Sequence, residues 1–197
     1  DGQLLPGKKY TGKMTMCIKR YIADLKEMYP EYDTTRCFVT HSCADEELVQ
    51  LAKELVGDKR VVNCEGVNVR SLTKDFFQEP VEFMAGDLSF ISLKLVVPVL
   101  KECIEKNGDM VMLIKPQFEA GKQALNKKGI VKDKKDHIRV LDELLHFFED
   151  TGLQVKDLKP SSIKGGDGNI EYLVWLENSA TEVSFLNGIN LRNFVDD

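Results

Sequence analysis

The stretch "MVMLIKPQFEAG", residues 110–121, decides the fold. Met110 to Ile114 are apolar without a polar alternation, and Pro116 closes the run soon after. A short apolar run with that boundary reads as a strand buried on both faces, as in the parallel sheets of α/β proteins. Lys115 stands where the strand stops, and an ammonium group at the end of a buried strand requires partners or a task.

Outward from this strand, short apolar runs alternate with amphipathic ones. Upstream, "VEFMAGDLSF" (81–90) is predicted as a strand turning at Gly86-Asp87, and "SLKLVVPVLKECIEKNG" (92–108) as a helix carrying Pro98 and stopping at Gly108. Downstream, "KDHIRVLDELLHFFEDTG" (135–152) is a helix with Ile138, Leu141, Leu145 and Phe148 as its apolar stripe and Gly152 as its end. "LQVKDLKP" (153–160) and "IEYLVWLE" (170–177) are strands joined by a turn-rich segment, so they should be antiparallel neighbours. Nearer the start, "KMTMCIKRYIADLKEM" (13–28) and "ADEELVQLAKELV" (44–56) read as helices, and "RCFVTHS" (36–42) and "RVVNCEG" (60–66) as strands. The pattern predicts an α/β fold with a mainly parallel sheet and an antiparallel last strand.

Composition bounds the rest. The 197 residues are 43% hydrophobic and 30% charged, as in an ordinary globular protein. No apolar run reaches the roughly 18 residues of a membrane span. The first residues, "DGQLLPGKKY", contain no signal-like apolar core, which leads to the expectation of a cytoplasmic protein. The five cysteines form no CxxC pair and the three histidines share no ligand spacing, so buried thiols and no metal site are expected. A net charge of −5 means that any binding to nucleic acid must rest on a local basic patch.

Ligands of open parallel sheets bind beyond the carboxyl ends of the strands. Asp87 and Lys115 fall at such ends, and an antiparallel last strand would bring Glu171 to the same edge. A lysine held by two carboxylates can serve as a base, as an orienting group or as a plain ion pair. The same edge should carry Lys122, Lys127, Lys128, Lys132, Lys134 and Lys135, against a single acid, Asp133. Such a loop suits a polyanionic substrate, or merely a well-solvated surface. His41, at another strand end, has no visible partner; "GGDGN" (165–169) precedes a strand rather than a helix and is no phosphate cradle; Trp175 and the Phe147-Phe148 pair read as core.

Five segments carry a resemblance: "NVRSLTKDF" (68–76), "GDLSFISLKLVVPVLKE" (86–102), "MLIKPQFEAGK" (112–122), "KGIVKDKKDHIRVL" (128–141) and "PSSIKGGDGNIEYLVWL" (160–176). In this order they resemble the later half of the TlyA family, FtsJ-like ribosomal RNA 2′-O-methyltransferases that use S-adenosylmethionine and are also labelled hemolysins. The resemblance spans residues 58–177 and implies a Rossmann-like methyltransferase sheet with a Lys-Asp-Lys-Glu tetrad, of which Asp87, Lys115 and Glu171 match the last three members. It implies that Lys115 activates the ribose hydroxyl, that Asp87 and Glu171 position it, and that RNA is the partner. It also implies a cofactor near Glu65, Asn68 and Asp87. The first tetrad lysine and the glycine-rich cofactor loop have no counterpart here, which predicts weakened cofactor binding.

Residues 1–56, through "DGQLLPGKKYTGKMTMCIKRYIADL" and "RCFVTHSCADEELVQLAKELV", resemble part of the C-terminal domain of the DegV family of fatty-acid-binding proteins. That resemblance implies a fatty acid as a partner for this part. The expected organisation is a DegV-like segment 1–57, a methyltransferase segment 58–177 and a tail 178–197, with the seam in "KELVGDKRVV" (53–62).

Overall fold

The computed structural model describes residues 38–41, 62–65, 67–77, 79–165, 168–180 and 183–196. The helices expected at 13–28 and 44–56 lie outside these residues. The chain divides into a unit ending at Val69 and a unit running from Arg70 onward. In the first, β1 (Phe38–His41) and β2 (Val62–Glu65) pair in parallel, with Phe38 opposite Val62 and His41 opposite Glu65.

The second unit is built on a four-stranded sheet in the order β3-β4-β6-β5. Its strands are β3 (Val81–Gly86), β4 (Ile104–Ile114), β5 (Gln154–Pro160) and β6 (Tyr172–Glu177). β3 and β4 run parallel, whereas β6 is antiparallel to both β4 and β5, so the sheet is mixed, with the reversed last strand that the sequence predicts. Met110 to Ile114 are all buried in the middle of the sheet, which explains their unbroken apolar run.

Helix α1 (Leu93–Cys103) buries Leu93, Val96, Val97, Leu100 and Cys103. It stops five residues before the predicted end at Gly108, because long-range bonds capture the chain at Ile104. The Asn178 side-chain amide donates to the Ile104 and Glu105 carbonyls at 3.2 Å, and two backbone bonds join Asn178 to Asn107 and Gly108. Asn107 takes a left-handed conformation (φ 62°) to make this turn. Gly108 is a point of close approach rather than a helix stop: a Cβ there would lie 2.8 Å from Ile104 Cγ1 and 2.9 Å from the Glu82 carbonyl oxygen.

After β4 comes one turn of helix, α2 (Pro116–Glu119), and then the long α3 (Lys134–Asp150). The buried face of α3 is His137, Val140, Leu141, Leu144, Leu145 and Phe148. This face is wider than the predicted stripe and turned toward His137, leaving Ile138 and Phe147 half-buried. The Asp133 carboxylate caps its start by accepting from the Lys135 N–H at 2.9 Å. At its end, left-handed Gly152 (φ 82°) lets the Leu153 N–H reach the Phe148 carbonyl. A last short helix, α4 (Leu191–Asp196), packs against α3, and Glu149 holds the preceding turn through Ser184 Oγ and the Phe185 N–H.

Candidate active site

The carboxyl ends of β3 and β4 and the start of β6 meet at one rim of the sheet. Gly86 is in register with Met112, and Ile114 with Tyr172, so Lys115 and Glu171 occupy the next rung across two antiparallel strands. Pro116 opens α2 immediately after Lys115, where its missing N–H is harmless. This fixes the lysine at the end of a rigid strand. Its ammonium lies 2.5 Å from Asp87 Oδ1 and donates to Ser89 Oγ at 3.0 Å. The Lys115 side chain is 12% exposed and that of Asp87 40%, so the pair sits at the mouth of the rim with the acid on the solvent side.

Glu171 is only 7% exposed. Its Oε1 accepts from Gln117 Nε2 at 2.8 Å. Gly165 lies so close that a Cβ there would overlap the Glu171 carboxyl. Burial pushes the Glu171 carboxyl above its ordinary range; the Lys115 ammonium and the Gln117 hydrogen bond oppose this, and Asp87 adds to it. Lys115 thus pairs with a half-exposed carboxylate and acts electrostatically on a buried one on the next rung, the three coming from positions spread over the chain.

The motif after β4 is used residue by residue. Lys115 meets Asp87 and Gln117 holds Glu171. Phe118 packs on Phe90 with ring centroids 4.9 Å apart. Glu119 accepts from Ser92 Oγ at 2.6 Å and from the Leu93 N–H at 2.7 Å, capping α1 from 26 residues away. Phe90 itself is left-handed (φ 62°) and 82% exposed, an unusual combination for a large aromatic residue.

All six predicted lysines, Lys122, Lys127, Lys128, Lys132, Lys134 and Lys135, are exposed. Lys127 and Lys128 form the tip of a tight turn in which Asn126 Oδ1 accepts from the Lys128 and Ile130 N–H groups. Buried Asn169 fastens this turn to the segment leading into Glu171, accepting from the Val131 N–H at 3.3 Å and donating to the Gly129 carbonyl at 3.2 Å. Beneath it, His137 Nε2 bonds the Val131 carbonyl and Nδ1 accepts from the Tyr172 hydroxyl, each at 3.0 Å. Burial pushes the Tyr172 hydroxyl up to about 12, so it stays a donor. Trp175 is half-buried and its indole N–H donates to Asp109 Oδ1 at 2.6 Å.

Glu65 closes β2 and Asn68 lies exposed beyond it; both belong to the first unit. His41 ends β1 in the same unit. Among the described residues no group of three or more His, Cys, Asp or Glu is placed to hold a metal ion, and no helix is long and apolar enough to cross a membrane.

The FtsJ-like methyltransferase family pattern matches residues 40–178. The chain belongs to that family. Over 128 residues it is 47% identical to a Bacillus subtilis protein named "Putative rRNA methyltransferase YqxC", covering 64% of this chain and 46% of the relative. It is 36% identical over 146 residues to the 16S/23S rRNA (cytidine-2′-O)-methyltransferase TlyA of Mycobacterium tuberculosis, covering 74% and 54%. A crystal structure described as that of a "putative hemolysin from Lactococcus lactis" superposes with a TM-score of 0.75 at 34% identity, covering 87% of this chain and 80% of that one. The chain spans about half the length of the curated relatives it matches. The TlyA resemblance is therefore shown. The family match begins at residue 40 and takes in residues 40–56, which the sequence reading joins to the DegV-like segment. None of these relatives is a DegV protein, and residues 1–37 lie outside the described part.

Proposed function

We propose that this chain carries the catalytic rim of an S-adenosylmethionine-dependent ribose 2′-O-methyltransferase acting on ribosomal RNA. The observation that carries the reading is Lys115, held at a strand end with Asp87 at 2.5 Å and buried Glu171 on the next rung. A ribose hydroxyl is a weak nucleophile, and its activation needs a fixed polar group within hydrogen-bond reach. Lys115 is that group; Asp87 and Ser89 fix its amine, and Glu171 sets the field on its protein side.

RNA is the substrate class that suits the surroundings. The exposed lysines offer phosphate contacts along the loop fastened next to Glu171. Phe90, tilted against Phe118 at 47° and open to solvent, presents a ring on which an unstacked base can lie.

The methyl donor supplies an electrophilic methyl group on a sulfonium. The described residues suit its reacting end, through Asp87 at the carboxyl end of β3, whereas neither β1 nor β2 leads into a glycine-rich turn that would cradle its remaining parts. Glu65 and Asn68 are the candidates for holding the adenosine.

The test is calorimetry followed by transfer of labelled methyl groups from S-adenosylmethionine to ribosomal RNA by the full chain. Heat with S-adenosylmethionine is expected, with transfer falling at least ~100-fold in Lys115→Met while the circular dichroism spectrum is unchanged. Heat with a long-chain fatty acid alone, or equal transfer by Lys115→Met, overturns the proposal.

A further inference from the structure

Gln117 presents a buried amide with one end in use and one end idle. Its Nε2 donates to Glu171 Oε1 at 2.8 Å, while its Oε1 is buried with no hydrogen-bond partner among the described residues. A buried acceptor without a donor costs roughly 1–3 kcal/mol. A methionine or leucine would fill the same space without that cost, so the amide calls for a use. Glu171 supplies one. Gly165 lies against its carboxyl, and the charges of Lys115 and Asp87 act on it. Among the described residues, the Gln117 amide donates a hydrogen bond to it.

We propose that Gln117 is a positioning residue for Glu171, whose amide donates to the carboxylate and, turned over, accepts from the carboxylic acid. In the first state the Nε2–H group points at Glu171; in the second a half-turn about the last side-chain bond brings the idle Oε1 to the acid O–H. Glu171 is then hydrogen-bonded whether or not it holds a proton. This fits a group beside an amine that gains and loses protons as ribose hydroxyls are activated. Lys115 would first give a proton to the Glu171 carboxylate, and the neutral amine would then take the hydroxyl proton as the hydroxyl oxygen gains the methyl group; the Glu171 acid afterwards releases its proton to solvent, which restores the ammonium and the carboxylate. The bond to the carboxylate is charge-assisted and the stronger of the two, so Gln117 also favours the ionised form. The inference rests on the methyltransferase reading for its purpose but not for its test.

The experiment is a nuclear magnetic resonance titration of the full chain labelled at the glutamate carboxyl carbons and glutamine side-chain nitrogens, with Glu171→Gln to assign the Glu171 signal. In the wild type, the Gln117 side-chain amide signals are expected to move with the Glu171 carboxyl, at the same midpoint. In Gln117→Met that midpoint is expected to rise by about half a pH unit or more, a threefold or greater gain in proton affinity. Gln117→Asn, too short to reach, should show the same direction and serves if the methionine variant does not fold. Amide signals that stay still while Glu171 titrates, or an unmoved midpoint in the variants, overturn the proposal. Both readouts stand whether or not methyl transfer is detected, so failure of the methyltransferase reading is seen separately. Where transfer is detected, Gln117→Met should lower kcat about tenfold and leave KM for RNA within twofold.

Discussion

Burial holds the Glu171 carboxyl above the usual carboxylate range, so ionising it in the folded protein costs free energy. The stabilising contribution of such a group is full below its unfolded value of about 4.3 and is lost as the pH rises through the folded value. Glu171→Gln should therefore unfold at a higher temperature than the wild type at pH 7, by a few degrees, since about 1 kcal/mol is worth about 2–4 °C in a chain of this size. Calorimetric scans at pH 7 and pH 4 check the sign: the gain should shrink at the lower pH, and methyl transfer should be lost throughout. Phe90 stores strain of a different kind, in its backbone. Phe90→Gly should leave the melting temperature unchanged or higher while weakening RNA binding by ~1–3 kcal/mol, measured by fluorescence anisotropy. At this scale the sequence was a partial guide. Asp87, Lys115 and Glu171 stand at strand ends, where an ionisable side chain is conspicuous among apolar neighbours. Gln117 and Glu119 on the single turn α2, and Ser89 in the loop after β3, are ordinary polar residues, and only the contacts they make across tens of positions reveal their use.

Among the elements, the start of α1 depends on a distant acid. Glu119 accepts two hydrogen bonds there, and burial raises its carboxyl while Ser92 and the Leu93 N–H oppose the rise. Glu119→Ala should cost ~1–2 kcal/mol in urea unfolding, about what the loss of a good helix cap costs, with the largest loss of protection at the first turn of α1. Helix interiors were legible from the sequence because their apolar spacing is a local property. The junction of α1 with β4 was not, because the residue that ends the helix for practical purposes is Asn178, more than 70 positions on. His137 escaped the predicted stripe of α3 for a related reason. Imidazole reads as polar by itself and becomes a core residue only once Tyr172 and the Val131 carbonyl satisfy both of its nitrogens.

For the molecule as a whole, a net charge of −5 opposes a polyanion at long range, so the proposed RNA binding would rest on the lysine-bearing loop at short range. Replacing Lys127, Lys128 and Lys132 together by alanine should weaken RNA binding and flatten its salt dependence by ~0.7 in log–log slope per lost phosphate contact, leaving kcat little changed. Binding isotherms across a salt series check this. The mixed sheet also separates the two rims of the second unit. Because β6 runs against β4, the segments around Lys115 and Glu171 share one rim, while the turn around Asn107 and its partner Asn178 lies at the other, roughly 20 Å away for the six steps from Asp109 to Lys115 at about 3.3 Å each. A fluorophore or surface tether attached at exposed Lys106 would therefore sit well clear of Lys115, so that this unit could be handled by one rim while the proposed chemistry is followed at the other.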